Sequence, residues 1–416
     1  MRRHGAIVLG AILACLGASV LHAAEPGYQK EIAVAEPTRL DWTFVVANQS
    51  VAEPPAEWVQ GYDSASQSYE RYVPPPAAGK DNGTPMILFI SAGNSPAGWK
   101  QLESLCKQKG ILFASPYGAG NDTPTPRRVR IALDVLDDVR RQHRVDPDRT
   151  YIAGFSGGGR IACAIAFSLP DICGGAMPVC AGGELREEQW LRHRAIDRLS
   201  MAFITGTDDF NRGEVERFRG PMLSDMGIRT KVTVVPMLAH GIPDSKALLP
   251  VYEWLEQGSA ARAQLAKKYP ASRIGMDQGP SRKELARALL AEGEGRLKDR
   301  KTVYSGLMQL QGVMNRWPDL SEGESAKRTL LDYESRADKQ WEDDDIAEQR
   351  KFLIARARAL DAYASGKLPD QYEQQRPDMA KAALELWETI LQDGVDSKAV
   401  AEAKRRIPVL KKLVTQ

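Results

Sequence analysis

Five histidines in 416 residues are few, and two of them, His4 and His22, fall in the N-terminal apolar stretch. Any acid–base or metal chemistry must therefore draw on His143, His193 and His240. The formal net charge is only +2, too small for the broad basic field that nucleic-acid binding needs. Beyond the N-terminus no apolar run is long enough to span a bilayer. The cysteines lack zinc-site spacing and have no histidine pair beside them. The acidic run WEDDDIAEQ reads as a solvated helix start, because neighbouring carboxylates on one helix diverge. Neither a metal nor another cofactor is expected. What is present is an ordinary globular composition, 43% apolar and 26% charged, with a length that points to two domains.

The first residues, MRRHGAIVLGAILACLGASVLHAAEPGYQ, carry two arginines, an apolar run to Leu21 and then small residues. This is the pattern of a secretory signal peptide over residues 1–24, cut near Ala23 or Ala24. A membrane anchor, or a lipoprotein signal modified at Cys15, are the rival readings. Export to the periplasm or beyond changes how the remaining cysteines read. Cys106, Cys163, Cys173 and Cys180 allow two disulfides in an oxidising compartment, and a bridge among the last three is expected from their closeness in sequence. The alternative is that all serve as small buried core residues.

Within a first domain expected over residues 25–258, residues 38–255 alternate strand-like and helix-like segments. WTFVVANQ and SYERYVPP read as strands, and PMILFISAG, ILFASPYG, TYIAGF, GGAMPVC, MAFITGT and KVTVVPML as further strands, most of them continuously apolar. Amphipathic stretches such as TPRRVRIALDVLDDVRRQHRV lie between them. The fold class is therefore α/β: a mostly parallel sheet with helices on both faces. From residue 259 to 416 strand patterns vanish, and an all-α domain of helical hairpins follows. Ser281 stands three residues before Glu284, a capping-box start. Two segments, beginning at Tyr304 and Lys381, look like variants of one helix–turn–helix unit. They weakly resemble tetratricopeptide pairs, with an irregular bundle as the alternative.

In open parallel sheets, functional groups gather on loops after the strand ends. RTYIAGFSGGGRIACAIAF meets this requirement first. Gly154, Ser156 and Gly158 form G-x-S-x-G between a strand and a helix, the setting of a nucleophilic serine on a sharp turn. Small residues two positions either side avoid clashes, and the Gly157 N–H sits at a helix N-terminus suited to a developing oxyanion. A serine needs a base. His143 and His193 lie in charged helical stretches and read as surface residues, whereas His240 follows the last strand in VVPMLAHGIPD. The base in turn needs an orienting carboxylate. Asp208 and Asp209 follow the preceding strand, and Asp209 is preferred from its position relative to Gly206. A second oxyanion donor is expected from the loop after MILFIS, at Asn94. Trp99 and Tyr117 are placed where a pocket could be lined, although buried aromatics more often serve packing.

These residues resemble the α/β-hydrolase superfamily, most closely its secreted esterase branch of polyhydroxybutyrate depolymerase-like and feruloyl or acetylxylan esterase-like proteins. The resemblance covers roughly residues 40–255 and rests on YERYVPP, ILFISAGN, VDPDRTYIAGFSGGGRIA, FITGTDDFN and LAHGIPD. It implies Ser156 as nucleophile, Asp209 as acid, His240 as base and Gly157 as one oxyanion donor, acting on a small or polymeric ester. Ala92 departs from the histidine common at that loop. The same three groups also run peptidase or amidase chemistry. A different class of reading makes the core a silent scaffold, with residues 259–416 binding a protein partner in the cell envelope.

Overall fold

The computed structural model describes residues 26–47, 55–76, 83–268 and 281–415. The expected signal peptide, with Cys15 and the expected cleavage site, lies outside the described residues. The strands are β1 (Gly27–Ala33), β2 (Ser68–Val73), β3 (Thr84–Ile90), β4 (Leu112–Pro116), β5 (Val145–Phe155), β6 (Gly175–Val179), β7 (Ser200–Gly206) and β8 (Arg229–Val235). They form one eight-stranded sheet in the order β1-β2-β4-β3-β5-β6-β7-β8. β2 pairs antiparallel with β1 and β4, and every pair from β4 to β8 is parallel.

The helices between them are α1 (Trp42–Val46), α2 (Ala56–Val59), α3 (Trp99–Lys109), α4 (Thr125–Gln142), α5 (Gly157–Ser168), α6 (Gln189–Arg198), α7 (Gly220–Met226) and α8 (Ser245–Gln257). The period-2 geometry of a strand divides its side chains between two cores. Met86, Leu88 and Ile90 of β3 join the apolar faces of α4 and α5 on one side. Ile87 and Phe89 meet α3 and α8 on the other. A strand buried on both faces has no polar alternation, which is why the apolar runs identified the central strands. This is the expected α/β class, a mostly parallel sheet with helices on both faces followed by a helical region.

Three expectations need correction. WTFVVANQ is not a strand over its described part: residues 42–46 form α1, which buries Trp42, Phe44 and Val45 in the core it shares with α4 and α5. Tertiary packing overrides the β-propensity of this short run. The edge position is taken instead by β1, whose polar, half-exposed GYQKEIA gave no strand signal. The cysteines form no disulfide. Cys106, Cys163, Cys173 and Cys180 are free and buried, two in each core, and burial pushes the thiols of Cys163, Cys173 and Cys180 up to about 12. They behave as small apolar residues, the alternative reading above. His143 and His193 are half-buried rather than superficial. Burial, reinforced by Arg71, lowers His143 to about 4, and the His193 ring packs edge-on against Tyr304.

Beyond α8 every described element is a helix. α9 (Ser259–Lys268) belongs with the sheet, because its Arg262 donates to Asp148 O, Ser200 Oγ and the Tyr151 hydroxyl. Then come α10 (Arg282–Arg296), α11 (Val303–Arg316), α12 (Ser321–Glu334), α13 (Glu342–Ser365), α14 (Asp370–Glu373), α15 (Arg376–Asp393) and α16 (Ser397–Val414). Ser281 and Glu284 make the capping box that opens α10. α10 to α12 close around Trp317, whereas α13, α15 and α16 close around Trp387. The first group packs on α6 and the second on α7.

A partly buried polar knot ties the first group to the N-terminal segment. The Asp41 carboxylate accepts from Arg282 Nε (2.7 Å), Trp317 Nε1 (2.8 Å) and Arg316 Nε (3.2 Å). Nearby, burial opposes ionisation of Asp171, but Arg194, Arg198 and Arg316 override it and hold the carboxyl below its usual range. Such groups are tolerated in the interior only because each charge is paired.

Candidate active site

β5 carries the chain to the C-terminal edge of the sheet, and α5 starts one residue later. Between them Ser156 adopts φ 53° and ψ −122°, a conformation that costs a non-glycine residue on the order of 1–3 kcal/mol. The surroundings fix it. Ser156 N–H donates to Val179 O at 2.8 Å, and Ser156 O accepts from Arg160 N–H at 3.2 Å.

The flanking glycines are required by contact. A Cβ at Gly154 would lie 2.5 Å from the Gly158 backbone, and one at Gly158 only 2.1 Å from Ile90 O. Gly158→Ala is therefore expected to destabilise the protein by about 1–3 kcal/mol through overpacking against backbone that cannot yield. A lower urea midpoint at unchanged slope would register it, and an unchanged midpoint would mean that the turn adapts.

The other two groups come from the ends of β7 and β8. Thr205 at the end of β7 donates its hydroxyl to Asp209 Oδ2 at 2.6 Å, and Asn211 N–H donates to Asp209 Oδ1 at 3.1 Å. These bonds hold a carboxylate whose side chain has no solvent exposure. His240 Nδ1 lies 2.8 Å from Asp209 Oδ1, and His240 Nε2 lies 2.9 Å from Ser156 Oγ. The structure thus brings Ser156, His240 and Asp209 together in one continuous chain of hydrogen bonds. Asp208 is exposed and takes no part in it. The imidazole packs against Phe210, with centroids 4.1 Å apart, and against Phe155 at 5.0 Å. Phe210 is itself 44% exposed, so the rings support the base without closing it from solvent.

Cys180 is a neighbour that the sequence did not suggest. It directly follows β6 with φ 53°, and its thiol donates to Gly241 O at 3.3 Å. Its sulfur, an Asp209 oxygen and a His240 nitrogen lie within 4.8 Å of one another. The thiol is raised by burial first and then by the Asp209 charge, which keeps it protonated and suits it to bracing the loop of His240.

Gly157 N–H is the first of α5 and has no intrahelical acceptor. Asn94 plays a broader part than expected. Its carbonyl accepts from Gly118 N–H at 2.8 Å and its Oδ1 from Gly120 N–H at 3.1 Å, so it clasps the loop after β4. Its own N–H donates to no group among the described residues. Trp99 stacks on Tyr28 at 4.6 Å and packs on Tyr72 and Phe113, while the Tyr117 hydroxyl donates to Glu70. Both serve packing at the sheet edge.

One turn along α5, Arg160 forms a two-pronged pair with Glu214 at 2.7 and 2.6 Å. They line a cavity of about 220 Å³ with Phe218 and with Tyr363, Tyr372 and Met379 of the helical region. A larger cavity of about 660 Å³, lined among others by Phe44, Trp190, Met314 and Pro318, shares no residue with the serine site.

No family model and no curated protein matches the chain. Solved structures resemble parts of it. A thermostable esterase aligns at 19% identity and a TM-score of 0.35, over 46% of this chain and 59% of the other, so the chain spans somewhat over half of that protein. Est1E from Butyrivibrio proteoclasticus aligns at 13% identity and a TM-score of 0.34, over 48% of this chain and 97% of the other. The S-formylglutathione hydrolase FrmB from Staphylococcus aureus aligns at 14% identity and a TM-score of 0.32, over 45% and 92%.

Proposed function

We propose that the protein is an exported serine hydrolase that cleaves carboxylic esters through an acyl-enzyme. The observation that carries this reading is the unbroken series Asp209–His240–Ser156, at 2.8 and 2.9 Å, built from the ends of three strands. Ser156 Oγ–H donates to His240 Nε2, and His240 Nδ1–H donates to Asp209. As Oγ bonds to the acyl carbon, its proton passes to Nε2. Asp209 stabilises the imidazolium that results, and the aromatic faces of Phe155 and Phe210 favour the same cation. The carbonyl oxygen takes the electron pair and is met by Gly157 N–H, with Asn94 N–H as the second donor. His240 returns the proton to the leaving alcohol, and water attacks the acyl-serine by the same route in reverse. No cofactor enters these steps.

The leader sequence supports export. The helical region flanks the cavity beside Arg160, which suits it to meeting a polymeric substrate or a protein partner. An ester is preferred to an amide because its carbonyl is less stabilised by resonance and an alkoxide is a better leaving group than an amide anion. Matched p-nitrophenyl esters and p-nitroanilides of several acyl lengths test the reading. Ester turnover at least about 100-fold above anilide turnover, a difference of roughly 3 kcal/mol in barrier, is the expected result. Equal or greater anilide turnover would assign a peptidase or amidase instead, and turnover of neither would favour the scaffold.

A further inference from the structure

The loop after β4 is tied both to the loop after β3 and to α4. Three bonds tie it to the loop after β3: Gly118 N–H to Asn94 O (2.8 Å), Gly120 N–H to Asn94 Oδ1 (3.1 Å) and Asn121 N–H to Ala92 O (2.8 Å). From behind, Thr123 Oγ1 donates to Gly118 O and Arg128 Nε donates to Ala119 O, both at 2.8 Å. Gly120 allows the two loops to abut, since a Cβ there would meet Asn94 N at 2.7 Å. The residue these ties deliver is Asn121, whose carboxamide lies directly over Gly157. A Cβ on Gly157 would come 2.0 Å from Asn121 Oδ1 and 3.2 Å from Nδ2. The residue is exposed beside Gly157, and its side chain has no hydrogen-bond partner among the described residues. The two ends of a carboxamide are nearly isosteric, so a half-turn presents the NH₂ group where the oxygen stands.

We propose that the Asn121 side chain donates a hydrogen bond to the oxyanion that forms when Ser156 attacks its ester, beside the Gly157 N–H. This rests on the serine-hydrolase reading above. A donor without a ground-state partner, held by a braced loop, is spent only on charge that appears in the transition state. It also explains why Asn94 uses its side chain and carbonyl on the loop: residues 94 and 121 make one rigid frame around the carbonyl oxygen.

The test is steady-state kinetics of the full mature chain on one acyl ester and its thiono analogue, whose sulfur accepts hydrogen bonds poorly. Asn121→Ala is expected to lower kcat on the oxo-ester by about 100-fold, with KM little changed and a much smaller loss on the thiono-ester. The near-isosteric Asn121→Asp, which repels an oxyanion, is expected to lose more, and it keeps the test valid should the alanine variant fold poorly. Both variants should still be phosphonylated at Ser156 by a fluorophosphonate, more slowly than wild type. A kcat within twofold of wild type, or equal losses on both esters, overturns the inference and leaves Asn121 a packing role. A folded wild type that neither turns over the ester nor reacts with the fluorophosphonate overturns the hydrolase reading itself.

Discussion

Replacing Ser156 with alanine is expected to lower ester turnover on the order of 10⁶-fold, about as much as removing His240. The size follows from what remains. Without Oγ, His240 has no nucleophile to deprotonate, and the imidazole, its carboxylate and the oxyanion donors assist only the direct attack of water. The change removes one oxygen from a half-buried position. Alanine bears the same penalty as serine at φ 53°, so the melting temperature should stay where it is. That combination separates loss of the nucleophile from loss of the fold. A residual rate near that of wild type would mean that hydrolysis occurs elsewhere.

Asp209→Asn is expected to cost about 10⁴-fold in kcat with little change in KM. The carboxylate accepts from Thr205, Asn211 and His240 at once. A carboxamide keeps the shape but offers an NH₂ in place of one acceptor and carries no charge. The tautomer with the proton on Nδ1 loses its acceptor, and the imidazolium loses its counter-charge in a site from which the acid is fully excluded from water. Asp208→Asn is the matched control. Its carboxylate is exposed and its part in the loop is a backbone bond to Leu238, so its kcat should match wild type. The reverse ranking would put the orienting charge at Asp208.

Much of this arrangement was legible because the chemistry leaves marks at fixed places. The central strands are buried on both faces and so must be continuously apolar, which located β3, β5 and β7 and the loops that follow them. Gly154 and Gly158 can carry no Cβ against the Gly158 and Ile90 backbone, and that restriction made the turn at Ser156 readable. The three residues of the hydrogen-bonded series each follow a strand, as the topology of an open sheet demands.

Where the sequence misled, the deciding contact was tertiary. α1 is a helix because Trp42, Phe44 and Val45 dock on the core beside α4, not because its residues prefer one. The sheet separates Cys180 from Cys163 and Cys173, and the two that share a face stay as free, buried thiols. Asn121 sits in YGAGNDTPTP, a stretch without periodicity, and only the proximity of two loops reveals its position. The same holds for Asp41, whose partners Arg282, Arg316 and Trp317 are more than two hundred residues away in the chain.

The most direct test of the Ser156–His240–Asp209 assignment is to treat the purified protein with a fluorophosphonate and read the adduct by intact mass and peptide mapping. One adduct per chain is predicted, on the peptide containing Ser156, absent from Ser156→Ala and strongly slowed in His240→Ala. A folded wild-type protein that stays unmodified, or that carries its adduct on another residue, would contradict the assignment.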